Sequence, residues 1–481
     1  MRPRVDWVTR WEQLGQYAGQ WNRLAGAVPF RRWEWLAGWW RHYGQPAEGR
    51  RHLAVAVVQD SSGQVIGLAP WYLQQSLREG RVLRWLGGDE VCSDHLSLLC
   101  LPGCQEQVAE TLAECLTQAE NPGRTVSPEA VRPGDTSPEG TNAEGSANGS
   151  CQATEGVAMA SGPARPIPWD LIELDSVDGG DPAVAALAVA MQRRGCWIER
   201  AQTGRCWVIE LPDTWEAFLQ ELSKTHRNRL RRVDRRFFST GQAVLHTVDR
   251  PDQLPQAMEL LVRLHRQRRR QLGQPDCFVS ARFERFHREI APELLAAGCL
   301  ELHWLEVDGE PVAAEYHLLG HKTVYAYQSG ISPTEPCPSP GEWIHLALVR
   351  RAIRLGYRYF DFLRGDEPYK AHWRARPRPT ETVWIVGAHA GAVWRYRVRR
   401  TLRRLRAWVK SWLASPEGGI SSCSQPPPEL PPEFSSETSQ ELPLETCQDH
   451  SPEPPPEQPQ TPASHEAVLS VAADGSGYIQ K

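Results

Sequence analysis

The chain has 481 residues, 41% hydrophobic and 23% charged, enough for two globular domains with tails. Its net charge of -4 is divided: residues 415–481 hold eleven Asp/Glu and one Lys, a net of -10, so residues 1–414 carry -4 minus -10, or +6. No apolar run reaches the roughly 18 residues that span a bilayer, and the first residues lack a signal-peptide core, so a cytoplasmic location is expected.

Twelve cysteines form no CxxC and no zinc-finger spacing, so no metal site is expected, and the thiols, Cys277 and Cys299 among them, read as free and buried. Twenty tryptophans are an unusual number, and no motif accounts for all of them.

Residues 7–43 show apolar side chains at helical spacing, Trp21, Leu24, Trp35, Leu36, Trp39 and Trp40. Strand-like runs follow at 52–59, 65–73, 82–86 and 95–99, with Gly63 and Gly80 as turns. Residues 120–166 are rich in Gly, Ser, Thr, Pro and Glu, and 415–481 in Pro, Glu and Ser; both are expected to be disordered. A strand at 169–174 and a helix at 182–194 resume the first half.

The second half should open with a strand at 206–211, a helix at 214–222 and a basic helix at 224–238. A strand at 243–248 and helices at 254–272 and 281–297 come next. Strands at 300–307, 312–319 and 323–328 precede a helix, followed by strands at 359–363 and 382–386 and a basic helix at 393–413. The alternation predicts an α/β (α+β) fold with mixed central sheets flanked by helices.

The most informative segment is YAYQSGISPTEPCPSPGEWIHLALVRRAIRLGYRYFDFLRGDEPYKAHW, 325–373. A strand ends in a loop, Ser339 stands where an N-cap would, Pro340 and Gly341 open a helix, and Gly356 ends it. Such a helix start, with free N–H groups and the positive end of the dipole, suits an anion; a plain capped crossover helix has the same pattern.

This segment resembles the signature of the BioF-type acetyltransferase domain of the GNAT superfamily, also described as cellulose-biosynthesis acetyltransferase-like. SKTHRNRLRRVDRR (223–236), LVRLHRQRR (261–269) and LEVDGEPVAAEYHL (305–318) occur in the matching order. FRRWEWLAGWWRHYG and RWLGGDEVCSDHLSL resemble the weaker GNAT-like half that often precedes it, and the pairing is distantly similar to the Fem peptidyltransferases. The resemblance implies two GNAT-like domains, at 1–119 with 167–205 and at 206–390, followed by the amphipathic helix 391–414. It also implies acyl transfer from acetyl-CoA or another acyl-CoA, in a cleft where two strands splay apart. Ser339, Pro340 and Gly341, with Gln328 on the preceding strand, would bind the cofactor. The usual Q/R-x-x-G-x-G/A loop is absent, and SPG stands in its place.

The chemistry needs a held thioester, a deprotonated amine and donors for an oxyanion. Asp361, Arg364, Asp366, Glu367, Tyr369 and Lys370 cluster after a strand, where α/β sheets open their sites; a solvated charged turn is the plain alternative. Asp361 or Glu367 can take or hold the amine proton, Tyr369 can donate to the departing sulfur, and Lys370 can stabilise the oxyanion. Arg364 and Glu367 are substrate-binding candidates, as are Arg227 and Arg231 on the basic helix. Glu315, in an apolar strand, is a candidate base of raised pKa, or else marks a bulge or sheet edge. His265 is a further candidate, although a lone helical histidine is more often structural.

In the last helix Trp394, Val398, Leu402, Leu405, Val409 and Trp412 form an apolar stripe opposite Arg395, Arg399, Arg403, Arg406 and Lys410. The stripe is expected to pack on the sheet; contact with an anionic membrane surface, peripheral to an inner membrane, is the alternative. The leading expectation is an N-acyltransferase acting on an amine or hydroxyl of a sugar, peptide or polysaccharide precursor, with no specific nucleic acid. A Fem-like transferase using aminoacyl-tRNA, or a non-catalytic GNAT-like module in cell-envelope or exopolysaccharide assembly, are the alternatives.

Overall fold

A computed structural model describes residues 2–44, 50–118, 167–333 and 337–414, with side chains to 406. The expected disordered insert and tail lie outside these residues. Residues 1–414 form one compact unit.

Its spine is an eleven-stranded mixed sheet whose central strands are buried in continuous runs, as at 312–318 and 382–386. In spatial order the strands are Ala243–Thr247, Leu300–Val307, Glu310–Leu319, Thr323–Ile331, Tyr359–Arg364, Trp197–Glu210, Arg376–Val386, Leu171–Asp178, Gly80–Trp85, Trp71–Ser76 and Arg50–Leu53. Both halves therefore share one sheet: Trp197–Glu210 runs through the 205/206 boundary, and Arg376–Val386 pairs with it on one side and with Leu171–Asp178 on the other. A smaller sheet joins Arg4–Val8, Val55–Gln59, Val65–Ala69 and Leu99–Cys100.

The helices start where the chain supplies caps. Ser223 Oγ accepts from His226 N at 3.3 Å, Ser280 Oγ from Phe283 N at 3.3 Å, and Asp181 caps Pro182–Gln192 with Pro182 in its first turn. Five residues, Asp234–Phe238, widen the end of the basic helix into a π-turn.

Nine of the tryptophans are buried in the core. Trp21, Trp35, Trp39, Trp71, Trp85 and Trp169 are fully buried in the first half. Four of them donate inward, Trp21 to Arg31 O at 2.8 Å, Trp35 to Ser93 Oγ at 2.8 Å, Trp39 to Gly88 O at 2.9 Å and Trp169 to Leu116 O at 3.0 Å. A buried indole usually finds such an acceptor, but Trp71 and Trp85 have none among the described residues.

Two expectations are corrected, and one helix is added. Trp7 lies in the strand Arg4–Val8, with the helices beginning only at Trp11, because sheet pairing to Val55–Gln59 outweighs the local helical pattern. Only Leu99–Cys100 is strand in the run 95–99; before it, Ser93, Asp94, His95 and Ser97 are buried in a loop. The helix Gln105–Gln118 was not foreseen.

The last helix, Ala390–Ala414, presents the face opposite to the one expected. Tyr396 packs inward and donates to Glu199 at 2.9 Å, and Arg399 reaches Glu173 at 2.9 Å, so carboxylates on the sheet draw in the basic face. Trp394, Val398, Leu402 and Leu405 are left exposed. Among the described residues no helix is long and apolar enough to cross a membrane.

Candidate functional site

The strands Thr323–Ile331 and Tyr359–Arg364 run parallel and pair at Thr323 with Tyr359, Val324 with Phe360 and Tyr325 with Asp361, then separate. Irregularities flank the divergence. On one side Tyr316 pairs with Gln328 and His317 with Ala326, leaving Tyr327 as the extra residue of a bulge. On the other the register shifts between Asp361 and Arg364, and Leu363 adopts φ +56°.

The resulting cleft holds two neighbouring cavities of about 350 and 540 Å³, which share Glu315, Ser329, His345 and Tyr369 in their walls. Gln328, His265, Cys277, Arg364 and Glu367 line the first. Ser339, Pro340, Gly341, Arg229 and Arg268 line the second, at the start of the helix Pro340–Arg354.

At the junction Glu315 is 2% exposed, with Oε1 2.9 Å from His345 Nε2 and Oε2 2.6 Å from His317 Nε2. Burial alone would raise its carboxyl; the two imidazoles more than offset this and hold it well below the ordinary range. The expected raised base is thus an ionised acceptor. His345, on the helix, stacks on Tyr369 with ring centroids 5.4 Å apart. Desolvation pushes the Tyr369 hydroxyl well above its usual value, with Glu315 and Glu367 adding to the shift, so it remains an O–H donor in the cleft.

His265 is buried on the helix Leu254–Leu272, with Nδ1 2.8 Å from the Ser329 carbonyl. A carbonyl only accepts, so Nδ1 carries the hydrogen and Nε2 keeps its lone pair, 3.5 Å from Cys277 Sγ. Desolvation lowers the His265 pKa, and burial pushes the Cys277 thiol up to about 12. Cys277 is only partly buried, where a buried thiol was expected, and it lies in the cleft, where Gln328 Nε2 also approaches its sulfur at 3.7 Å.

Asp361 lies off both cavities, while Lys370 and Arg364 line the first but are held by neighbouring groups. Asp361 is 2% exposed and faces away from both cavities: Oδ1 accepts from Leu363 N at 2.7 Å, and Oδ2 lies 3.0 Å from His95 Nε2. Lys370 is equally buried, and its ammonium contacts the carbonyls of Leu363, Arg364 and Gly365 at 3.3, 2.8 and 3.0 Å and Glu367 at 2.9 Å. Those acceptors consume its three donors, so it braces the loop and has none left for an oxyanion.

Arg364 is held by Asp94 at 2.6 Å, the Ser93 carbonyl at 3.1 Å and Ser176 Oγ at 2.9 Å, so it forms a wall of the cleft. Arg227 and Arg231 lie off both cavities; the arginine of that helix that reaches the cleft is Arg229. Helical spacing decides this, since Arg229 shares a turn and a side with His226, which is buried against Trp373 at 5.2 Å.

Ser339 occupies the N-cap position, but its hydroxyl makes no cap bond. Its carbonyl accepts from Glu342 N and Trp343 N, both at 3.1 Å, and Pro340 has no N–H. Gly341 therefore supplies the first-turn amide with no partner among the described residues. Its φ needs no glycine; a Cβ there would meet the tip of Ile331 at 2.9 Å. Glu342, paired with Arg229 and 3.2 Å from His226 Nε2, adds a carboxylate to this end of the groove. An anion here would rest on Arg229, Arg268 and one amide, a smaller cradle than the loop suggested.

Two groups bring possible metal ligands within 4.8 Å of one another, His95 with Cys206 and Asp361, and His265 with Asp276 and Cys277. His95 is already committed: its Nδ1 lies 2.6 Å from Asp178, and the two aspartates, outweighing desolvation, raise its pKa well above normal.

His345 was missed as a site residue, and on the basic helix Arg227 and Arg231 were singled out in place of Arg229. Both His345 and Arg229 stood in a quoted motif, and His345 lies five residues after Pro340, one turn into the helix that borders the cleft.

Residues 224–371 match the family model described as Acetyltransferase (GNAT) domain, and that segment carries the superfamily's fold. Among solved structures, a conserved protein of unknown function from Bacteroides thetaiotaomicron is 11% identical with a TM-score of 0.45, the match covering 79% of this chain and 99% of that one. FemX is 11% identical at 0.48, with coverage of 77% and 96%. A tandem GNAT protein from the clavulanic acid biosynthesis pathway is 12% identical at 0.38, with coverage of 80% and 99%. No curated protein matches the chain by sequence.

Proposed function

We propose that the chain is an acyltransferase moving an acyl group from a CoA thioester to an amine or hydroxyl of a sugar, peptide or polysaccharide precursor. The observation that carries this reading is the Glu315–His345–Tyr369 row standing between two cavities where the strands splay. One cavity suits the donor's phosphates through Arg229, Arg268 and the Gly341 amide; the other suits the acceptor. The bound thioester supplies the acyl group, which passes to the acceptor as the C–S bond breaks.

The chain's own residues handle the protons. Ionised Glu315 accepts from His345 Nε2–H and so leaves Nδ1 of a neutral ring with its lone pair, the arrangement of a carboxylate-oriented base. That ring takes the proton lost by the acceptor. Tyr369, kept protonated, gives its hydrogen to the leaving sulfur.

Calorimetry with acetyl-CoA and free-thiol release with amine acceptors test the reading. Tyr369→Phe should lower turnover by about tenfold with little change in donor affinity. No heat with acetyl-CoA and no thiol release with any amine acceptor would overturn it.

A further inference from the structure

The Ala390–Ala414 helix is amphipathic in an inverted sense. Its inner face is held by charge: Arg395 lies 3.5 Å from Asp170, Arg399 reaches Glu173 at 2.9 Å and Glu79 at 3.2 Å, and Arg400 meets Glu199 at 3.0 Å. Arg403 lies over the Trp384 ring at 4.4 Å. Glu173 shows how firm this seating is. Burial would raise its carboxyl, yet Arg84 and Arg399 hold it down at about 2.

The outer face is apolar. Trp394 is 67% exposed, Val398 41%, Leu402 49% and Leu405 53%. Their spacing of four, four and three residues sets them on one line, and in the sequence that spacing continues through Val409 and Trp412. The arginines left outside the inner network fall on the borders of this line. Arg397, Arg404 and Arg406 are exposed, and none has a carboxylate partner among the described residues; Arg397 lies over the Trp197 ring at 5.9 Å.

A contiguous apolar stripe on a helix marks an interaction surface. The unpaired arginines on its borders decide what kind. A stripe with tryptophan and leucine at its centre and long cationic side chains on its rims matches the boundary of an anionic bilayer: the apolar groups enter the acyl region, and the guanidinium groups reach back to the phosphates. A neutral protein partner would leave those charges unmatched.

We propose that this helix docks residues 1–414 onto an anionic lipid surface, its Trp394–Leu405 stripe entering the interface and Arg397, Arg404 and Arg406 pairing with lipid phosphates. The network to Glu173, Glu199 and Asp170 then fixes how the body meets the membrane, because it holds the helix whether or not lipid is present.

Co-sedimentation of the full chain with vesicles tests this, using phosphatidylcholine with one-third phosphatidylglycerol against phosphatidylcholine alone. Binding to the anionic vesicles, weakened by salt, is expected, with little to the neutral ones. Leu402→Glu with Leu405→Glu should reduce it by at least about tenfold, and Arg404→Glu with Arg406→Glu by a comparable factor that shrinks as salt rises. Circular dichroism and melting establish that the variants fold, and thiol release without vesicles should be unchanged in them, which keeps this test separate from the acyltransferase reading. Equal binding by wild type and stripe variant overturns the proposal. So does a wild-type dimer that the stripe variant converts to a monomer while neither binds vesicles, since the stripe would then cover a second copy.

Discussion

The two halves of the shared sheet each contain a short parallel pairing. In the first half Val82, Leu83 and Arg84 run beside Leu171, Ile172 and Glu173. In the second, Thr323, Val324 and Tyr325 run beside Tyr359, Phe360 and Asp361. Beyond the first pairing the loop 93–97 fills in: Leu96 N donates to Ser176 O at 3.0 Å, His95 meets Asp178, and Ser97 Oγ donates to Asp181 at 2.9 Å. Beyond the second no such filling occurs among the described residues, and the space is the cleft.

The filling loop also supplies part of the cleft wall, since Asp94 holds Arg364 and the Val91 carbonyl accepts from Tyr327 Oη at 2.7 Å. The first half fills its space with the loop and backs it with a tryptophan core; the second leaves its own open and lines it with ionisable groups.

The largest expected effect concerns pH, and it separates the histidines of the two regions. Burial depresses His287 to about 3 and His303 to about 4, so the unfolded chain binds more protons than the folded one below about pH 6.5. Their contribution is present above that pH and is lost as pH falls toward the folded values, about 2 kcal/mol for each by pH 5. His95 has the opposite sign: its pKa is raised, so its contribution is whole below about 6.5 and lost as pH rises through the folded value. Urea unfolding across pH should show an acid limb, and His95→Gln should remove stability mainly at low and neutral pH. A flat acid limb would contradict the burial of His287 and His303.

Next comes the cleft itself. Glu315→Gln leaves an uncharged amide between two imidazoles and should lower turnover on the order of a hundredfold, read by thiol release beside circular dichroism. Wild-type turnover in the folded variant would dissolve the contrast between an open, catalytic half and a filled one.

Lys370→Met strips the carbonyls of residues 363–365 of their donor and should cost about 2 kcal/mol in urea unfolding. Any loss of turnover should follow that loosening; a hundredfold loss at unchanged stability would return Lys370 to the chemistry.

The smallest effects lie on the basic helix. Arg227→Ala and Arg231→Ala should stay within about 0.5 kcal/mol and leave the donor KM unchanged, whereas Arg229→Ala should raise it several-fold. Equal effects at all three positions would make the whole helix, and not its cleft-facing edge, the anion site.

The sequence alone determined the second half almost element by element, because periodicity and caps are local: Ser223, Ser280 and Pro340 start helices where expected, and the order of motifs marked the GNAT domain. Of the candidates it singled out, Glu315, Tyr369, His265, Gln328, Arg364, Glu367, Lys370 and the 339–341 loop line the two cavities. What it left undecided depends on partners far away in the chain. Asp361 and Lys370 are the right residue types beside the right strand, but His95, 266 positions earlier, holds the first, and the backbone of its own loop exhausts the second. The last helix follows the same rule. Its two faces are plain in the sequence, yet only the fold sets Glu173 and Glu199, from strands of the sheet, beneath it, and ion pairing to those carboxylates turned the basic face inward and left the apolar one exposed.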